Sequence, residues 1–280
     1  MAPSAENALG TFLRSRRRGV RPADVGLPAT GQRRVPGLRR EEAAMLAGIS
    51  HEYYLRLEQG RDQHPSAQVL AGLARALLLD ESTTRYLFDL ARPRPPRGPA
   101  PRPPAEQAPE GVVQLLEAWA GTPAYVQGRT LDVLAANRLA RALSPIFTPG
   151  VNLVRRAFLD PAVRELYRDW AAMTEGTVAG LRAQAGADPD PALTELVAEL
   201  SRDSERFADL WDSYEVRPKS AGRSLLDHPI AGPLDLRYEK LAIGYPAVGQ
   251  QVVVYHAEPG SPTAAALAAL AVDPSEQHAG

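Results

Sequence analysis

The residue types that most often perform catalysis or bind metals are sparse in this sequence. Its five histidines, at positions 51, 64, 228, 256 and 278, lack the spacing of a metal site, and there is no cysteine to supply a thiolate. The sequence also contains no glycine-rich phosphate loop and no nucleophile elbow. Asp188 and Asp190 are close in sequence, but Pro189 and Pro191 place them in a loop. We therefore expect a protein that is not an enzyme and uses no metal or cofactor.

The distribution of basic side chains indicates binding to a polyanion. Residues 1–102 contain 17 Lys+Arg and 10 Asp+Glu, a net charge of +7, whereas the rest of the chain contains 15 and 23, a net charge of −8. The whole chain is nearly neutral, with a net charge of −1. A basic part joined to an acidic part is typical of a protein in which one module binds a polyanion and the other does not.

The chain length of 280 residues favours two domains. The proline-rich segment 92–109, RPRPPRGPAPRPPAEQAP, is typical of an extended linker. Before it, residues 1–91 have helical apolar spacing that predicts five short helices. After it, within residues 110–273, alternating apolar residues and the run QQVVVYHA predict an antiparallel sheet with helices on one side. A one-residue slip in this alternation predicts a bulge near Lys240. The predicted fold is an all-α domain followed by an α+β domain.

The segment LRREEAAMLAGISHEYYLRLEQGR, residues 38–61, predicts two short helices joined by a tight turn. Gly48 provides the turn, and Ser50 is suited to cap the second helix. Tyr54 and Leu57 predict the buried side of that helix, which leaves its other face open. Two helices in this arrangement can place the second one in the major groove of DNA.

The segments LAGISHEYYLRLEQG and PSAQVLAGLARALLL resemble the lambda-repressor-like, or XRE-family, helix-turn-helix, over roughly residues 38–90. The resemblance implies double-stranded operator DNA as a partner. Base contacts map onto His51, Glu52, Leu55 and Arg56. Of these, Arg56 suits the O6 and N7 atoms of guanine, and Glu52 suits the N4 amine of cytosine. Phosphate contacts map onto Arg39, Arg40, Arg61, His64 and Ser66.

Further arginines add to the basic surface and are predicted to contact phosphate. They are Arg16, Arg17, Arg33 and Arg34. The last two lie in a long insertion that the short members of the family lack, so an inherited contact can be displaced here. Simpler roles remain open for several of these residues. Arg16 to Arg18 also fit a solvated helix end, and Glu52 fits a first-turn carboxylate that favours the helix dipole. Arg56 and Glu58 also fit a local ion pair.

A second resemblance extends over nearly the whole chain. The segments PGLRREE, LDVLAANRLARAL, DHPIAGPLDLRYEKL and VVVYHAEPGSP together resemble the MmyB-like regulators, bacterial one-component transcription factors with a C-terminal PAS-like ligand-binding domain. This resemblance implies a small hydrophobic, fatty-acid-like effector held between the sheet and the helices.

Several side chains in residues 110–273 are suited to line such a pocket, which needs apolar walls and few polar groups. They are Tyr125, Asn137, Arg155, Phe158, Trp170, Phe207, Trp211 and His228. Each has a plainer alternative that the sequence leaves open. The aromatic residues at helical spacing fit ordinary core, Asn137 fits a helix cap, Arg155 fits a surface pair with Arg156, and His228 fits a turn.

The alternative to a sensor is a second domain that dimerises without binding a ligand. Twofold operators favour a homodimer in either case. No apolar run approaches the roughly 18 residues of a membrane helix, and the N-terminus lacks the apolar core of a signal peptide. We therefore expect a cytoplasmic protein without membrane contacts.

Overall fold

The computed structural model describes residues 7–28, 37–92, 106–187, 190–213, 221–245, 247 and 249–272. These residues form two compact units. The first unit contains residues 7–28, 37–92, 182–187, 190–194 and 209–213, and the second contains the other described residues. Arg33, Arg34 and most of the predicted linker lie outside the described residues.

The N-terminal part of the first unit is helical, as predicted. Its helices are α1 (Ala8–Gly19), α2 (Arg40–Ala47), α3 (His51–Glu58), α4 (Ala67–Ala76) and α5 (Glu81–Ala91), with a 3₁₀ helix at Pro22–Val25. Side chains begin three of these helices, because Ser50, Ser66 and Asp80 each accept a hydrogen bond from the backbone N–H three residues later. Because these caps involve residues close in sequence, the start of each of the three helices can be predicted from the sequence.

The helices of the first unit enclose one apolar core. Phe12, Leu13 and Tyr54 are fully buried in it, and Phe12 meets the edge of Tyr86 with ring centroids 5.4 Å apart. Helices α2 and α4 approach so closely that a Cβ atom at Gly72 would lie 2.4 Å from the carbonyl oxygen of Ala47. Glycine at position 72 therefore permits the contact between these two helices.

The remaining elements follow in chain order. They are α6 (Glu110–Ala118), β1 (Ala124–Gln127), β2 (Val133–Ala136), α7 (Arg138–Leu143), a 3₁₀ helix (Pro145–Phe147), α8 (Leu153–Leu159), α9 (Pro161–Leu166), α10 (Trp170–Ala187), α11 (Pro191–Asp203), α12 (Glu205–Asp212), β3 (Ala221–His228), β4 (Gly232–Ala242), β5 (Gln251–His256) and α13 (Pro262–Ala271). None of the helices within the described ranges is long and apolar enough to cross a membrane.

The five strands form one antiparallel sheet in the order β2-β1-β5-β4-β3, which confirms the predicted α+β fold. Strand β5 is central, as its apolar run predicts. One face of the sheet carries Tyr125, Leu236 and Tyr255 into the main core of the second unit. The opposite face carries Val126 and Val252, which pack with Leu116 of α6. Helices therefore cover parts of both faces, and the prediction of helices on one side is wrong.

Two local predictions are also wrong. The register of β4 with β5 is continuous from Arg237 to Ala242, so the predicted bulge near Lys240 is absent from the described strands. The apolar residues of the sequence change from one face of β4 to the other at Leu241, which lies half-exposed on the face opposite Lys240. The helical spacing of Leu193, Leu200, Phe207 and Trp211 predicts one helix that begins near Pro191, whereas the structure divides this segment into α11 and α12. Its second part begins anew because Ser204 Oγ accepts a hydrogen bond from the N–H of Phe207 (3.2 Å).

Leu78 has a strained backbone that a substitution can relieve. It follows α4 with φ +52° and its side chain is 55% exposed. This left-handed conformation costs about 1–2 kcal/mol for a residue with a Cβ atom. We expect Leu78→Gly to raise the free energy of opening of α4 and α5 by about 1 kcal/mol, measured by hydrogen exchange of the whole chain.

Met45 supplies a control for this prediction, since it is also exposed but lies inside α2. There glycine is unfavourable, and Met45→Gly should lower the stability of α2 by about 1 kcal/mol. Equal destabilisation by the two glycine substitutions would contradict the strain at Leu78.

Candidate nucleic-acid interface and ligand pocket

Helices α2 and α3 are joined by a turn of three residues. Gly48 ends α2 with φ +72°, and its N–H donates to the carbonyl oxygens of Ala44 and Met45. The N–H of Ile49 also donates to the carbonyl of Ala44 (3.0 Å). Ser50 then begins α3 by accepting a hydrogen bond from the N–H of Tyr53 (3.1 Å). The turn therefore has the tight geometry that a helix-turn-helix requires, and a left-handed glycine is what allows it.

The two sides of α3 differ sharply in exposure. Tyr54 and Leu57 are fully buried against the other helices. The predicted base-contact residues occupy the other side, where His51, Glu52 and Arg56 are exposed and Leu55 is partly exposed. The guanidinium carbon of Arg56 lies 5.3 Å from the ring centroid of Tyr53, a cation–π contact that restricts the arginine side chain. The helix thus presents hydrogen-bonding side chains on a rigid support.

Glu58 forms a buried ion cluster behind this face. Its side chain is completely buried, and its two carboxylate oxygens accept hydrogen bonds from Arg17 Nε (2.7 Å) and Arg40 Nε (2.7 Å). Arg14 Nε lies 3.9 Å from the carboxylate. Arg17 also donates to the carbonyl oxygen of Leu38 (2.7 Å). The cluster therefore joins α1, α2 and α3 through a single carboxylate.

The surroundings of Glu58 hold it in the ionised form. Burial acts to raise the pKa of Glu58, but hydrogen bonds and positive charge from Arg17 and Arg40 outweigh burial and hold this pKa below its ordinary value. Neighbouring residues in the sequence predict only a local pair of Glu58 with Arg56, so this role of Glu58 was missed. The spacing of Tyr54, Leu57 and Glu58 was the available signal, since it places the carboxylate on the buried side of α3.

The predicted phosphate contacts occupy different environments. The Arg17 side chain is only 7% exposed and donates to Glu58, so it lies inside the protein and not on the surface where a phosphate contact was predicted. Arg40 is 43% exposed and is shared between Glu58 and solvent. Arg39 and Arg61 are exposed, and Arg16 lies beside the Phe12 ring (5.6 Å).

The other two lie near the beginning of α4. Ser66 caps that helix with its hydroxyl. His64 is exposed, and its Nδ1 lies 3.4 Å from the carbonyl oxygen of Ala91. Phosphate contacts at these positions stay predictions.

The predicted pocket residues separate into several sites. Phe158, Trp170 and Phe207 lie together, with Phe158 5.1 Å from Phe207 and 6.4 Å from Trp170 between ring centroids. Tyr125 instead stacks on Phe147 at 4.5 Å. Trp211 lies in the first unit, with the guanidinium carbon of Arg182 4.0 Å from its ring centroid. The sequence therefore indicated which aromatic residues lie in the interior, but it did not indicate which of them contact one another.

The polar residues predicted for the pocket are engaged within the protein. Asn137 Oδ1 accepts from the N–H groups of Ala124 (3.2 Å) and Ala140 (2.9 Å), and its Nδ2 donates to three backbone carbonyls, including that of Thr122 (2.7 Å). His228 Nδ1 accepts from the N–H groups of Ile230 and Ala231, while Nε2 lies 3.0 Å from the carbonyl of Ala142. These contacts agree with the alternative roles of helix cap and turn.

Arg155 is the predicted cation of the pocket. Its guanidinium forms two hydrogen bonds of 2.7 Å to the carboxylate of Glu199. It also lines an open surface groove of about 350 Å³ together with Arg156, Leu159, Asp160 and Pro161. The sequence predicted a surface pair of Arg155 with Arg156, whereas Arg155 forms its ion pair with Glu199 of α11.

The fold and its surfaces define a class of protein: a helix-turn-helix DNA-binding region followed by a separate α+β region. A family model described as a helix-turn-helix domain matches residues 8–87. A second, described as the MmyB-like transcription regulator ligand binding domain, matches residues 108–270. A search of curated proteins gives no match. The second model covers more than half of the chain, and the chain belongs to the MmyB-like transcription regulators. It is a transcription regulator with a DNA-binding domain and a ligand-binding domain, a class that is generally not enzymatic.

The buried cluster predicts a specific dependence on pH and on residue 58. A folded-state pKa below the unfolded value of about 4.3 stabilises the fold above that pH, and this stability is lost as the pH falls through the folded pKa. We expect Glu58→Gln to lower the stability of α1 to α3 at pH 7 by about 3 kcal/mol, because the arginines lose their counter-charge. Acid unfolding of these helices in the whole chain, followed by amide NMR signals, should become less steep.

Glu41 is the matched control, because it is exposed in the first turn of α2. Glu41→Gln should change the stability by less than about 0.5 kcal/mol and leave the acid transition in place. Similar behaviour of the two variants would mean that the Glu58 cluster does not hold the three helices together.

Proposed function

We propose that this regulator is a homodimer that reads a specific operator and senses a small hydrophobic, fatty-acid-like effector through its C-terminal domain. The observation that carries the DNA-reading part is the exposed face of α3, whose opposite face is fully buried at Tyr54 and Leu57. The match of residues 108–270 to a ligand-binding domain supports the sensing part.

The side chains on α3 suit base recognition. Arg56 has a planar fork of donors that fits guanine O6 and N7, and Glu52 can accept from cytosine N4. Because Tyr53 already restricts Arg56, less side-chain freedom is lost when the arginine meets a base. Arg61 is exposed just after α3, where the family places phosphate contacts. Base reading and backbone positioning are thus assigned to different arginines.

Two arginine variants separate these roles. After an operator is selected from random DNA with the whole protein, Arg56→Ala should cost about 1–3 kcal/mol on that operator and accept substitutions at one base pair. Arg61→Ala should weaken all sequences similarly and reduce the dependence of binding on salt by about one phosphate contact. Binding is measured as Kd by fluorescence anisotropy at several salt concentrations. An equal loss on every sequence for Arg56→Ala would remove it from the reading role.

The effector part rests on the sheet face that enters the main core of the second unit. Leu234, Leu236 and Val253 supply an apolar surface there, and tyrosines lie among them. Such a face suits a ligand with an apolar body and few polar atoms. A ligand-free dimerisation domain is the competing proposal, and it would need no polar groups in this core.

Native mass spectrometry of the whole protein distinguishes the two proposals. If the domain is a sensor, we expect a dimer that carries a discrete additional small-molecule mass, which organic extraction removes and which chromatography of the extract identifies. Extracts of an unrelated protein purified in the same way provide the control. A dimer with no extractable mass would favour the dimerisation domain.

A further inference from the structure

The first unit contains part of the ligand-binding domain together with the DNA-binding helices. Residues 182–187, 190–194 and 209–213, which include the C-terminal ends of α10 and α12, belong to this unit. The same residues lie inside the match of 108–270 to the MmyB-like ligand binding domain. A segment of the ligand-binding domain therefore packs in the same compact unit as α1 to α5.

Two side chains join the ends of α10 and α12. Arg182 of α10 is 4% exposed, and its guanidinium carbon lies 4.0 Å from the ring centroid of Trp211 of α12. Arg182 also donates a hydrogen bond to the carbonyl oxygen of Trp211. A buried guanidinium held by both contacts fixes one helix end on the other. The two ends therefore form one surface, and we call Arg182, Ala183, Trp211 and Ser213 the docking patch.

The docking patch contacts α1 and the core behind it. Ser213 directly follows α12, and its carbonyl oxygen accepts a hydrogen bond from Ser15 Oγ of α1 (3.1 Å). Carbonyls at the end of a helix have no partner within it, so Ser15 supplies one. Ala183 packs against the apolar core of α1 to α5. The patch therefore contacts the helix that also provides Arg17 to Glu58.

Ser15 and Arg17 lie on opposite sides of α1, because two residues turn an α-helix by about 200°. Arg17 donates to Glu58, the last residue of α3, and the other carboxylate oxygen of Glu58 accepts from Arg40 of α2. Helix α1 is thus held between the docking patch on one side and the ion cluster on the other. A shift of α1 after loss of the patch would move a partner of Glu58, and with it α3.

The contacts of the docking patch are suited to opening. Ala183 has a small side chain and is only partly buried, so it removes little apolar surface from water. The hydrogen bond between Ser15 and Ser213 is exposed, so water can replace it. Phe12 and Leu13, by contrast, are fully buried in the core of α1 to α5. The patch can therefore leave α1 while the DNA-binding helices stay folded.

We infer that the docking patch is the element through which the ligand-binding domain sets the affinity for DNA. When the patch is docked on α1, it keeps α3 in the position that binds the operator. When the patch is undocked, α1 is released and operator binding weakens. This inference rests on the proposed function and adds the route of regulation. It does not depend on the identity of the effector, because substitutions and a crosslink can open and close the contact.

An added charge should open the contact. In the whole protein, Ala183→Glu places a carboxylate against an apolar core and should raise the Kd for the selected operator about tenfold. Ala172→Glu is the matched control, because Ala172 is an exposed residue of the same helix outside the first unit, and it should leave the Kd unchanged. Fluorescence anisotropy measures the Kd, and amide NMR signals show that α1 to α5 stay folded in each variant.

A crosslink should close the contact again. The chain contains no cysteine, so Ser15→Cys together with Ser213→Cys introduces the only two thiols. A short bis-maleimide should join them, which peptide mass spectrometry detects. The crosslinked protein should bind the operator as tightly as the wild type, and in the Ala183→Glu background the crosslink should restore most of the lost affinity. Such a rescue separates undocking from unfolding of the DNA-binding helices.

The failure of this inference differs from the failure of the proposed function. Unchanged operator binding in Ala183→Glu, an equal loss in Ala172→Glu, no crosslink between the two thiols, or no rescue by the crosslink would overturn the role of the docking patch. Loss of operator binding on crosslinking of the otherwise wild-type chain would also overturn it. Each of these outcomes leaves DNA reading by α3 intact. Failure of the wild-type protein to select any operator would overturn both.

Discussion

The buried carboxylate of Glu58 is the constraint on which the DNA-binding region depends. A charged group without solvent costs several kcal/mol unless opposite charges and hydrogen bonds replace the water. Arg17 and Arg40 provide that replacement from α1 and α2, each with a 2.7 Å hydrogen bond. The position of α3 relative to its scaffold is therefore set by an interaction that tolerates little displacement. A DNA-reading helix needs this, because a small rotation would move Arg56 away from a base edge.

The ion pairs of the sheet in the second unit are exposed to solvent, unlike the buried pairs of Glu58. Arg223 pairs with Asp235, and Arg168 with Asp227, through side chains that are about half-exposed or more. Exposed pairs of this kind stabilise a fold by less than about 1 kcal/mol each, and salt weakens them. They make the outer face of β3 and β4 polar and discourage contact between sheet edges. The strength of the sheet comes mainly from the apolar contacts of its core face, where Lys240 is the one charged side chain among the described strands.

Local interactions made much of this fold predictable, and non-local interactions did not. The left-handed Gly48, the cap at Ser50 and the bounds of α5 at Glu81–Ala91 follow from neighbouring residues. The pairing of Arg17 with Glu58 joins residues that are 41 positions apart, so spacing along one helix could not indicate it. The prediction of a bulge near Lys240 was wrong because the pairing of β4 with β5, another non-local interaction, sets the face of each residue. We expected the core face to pass from Tyr238 to the apolar Leu241 through a bulge, whereas Lys240 continues that face without one.

Under the proposed sensing function, tyrosines in the core provide a way for the second unit to select among apolar ligands. Apolar area attracts many molecules similarly, since its contribution depends mainly on the surface buried. Tyr125, Tyr167 and Tyr255 bury their hydroxyls in this core, so a ligand that displaces them must offer hydrogen-bond acceptors of its own. A plain hydrocarbon cannot do so and leaves buried donors unpaired, at a cost of about 1–3 kcal/mol for each. Under the same proposal, specificity therefore includes rejection of the wrong ligand as well as attraction of the right one.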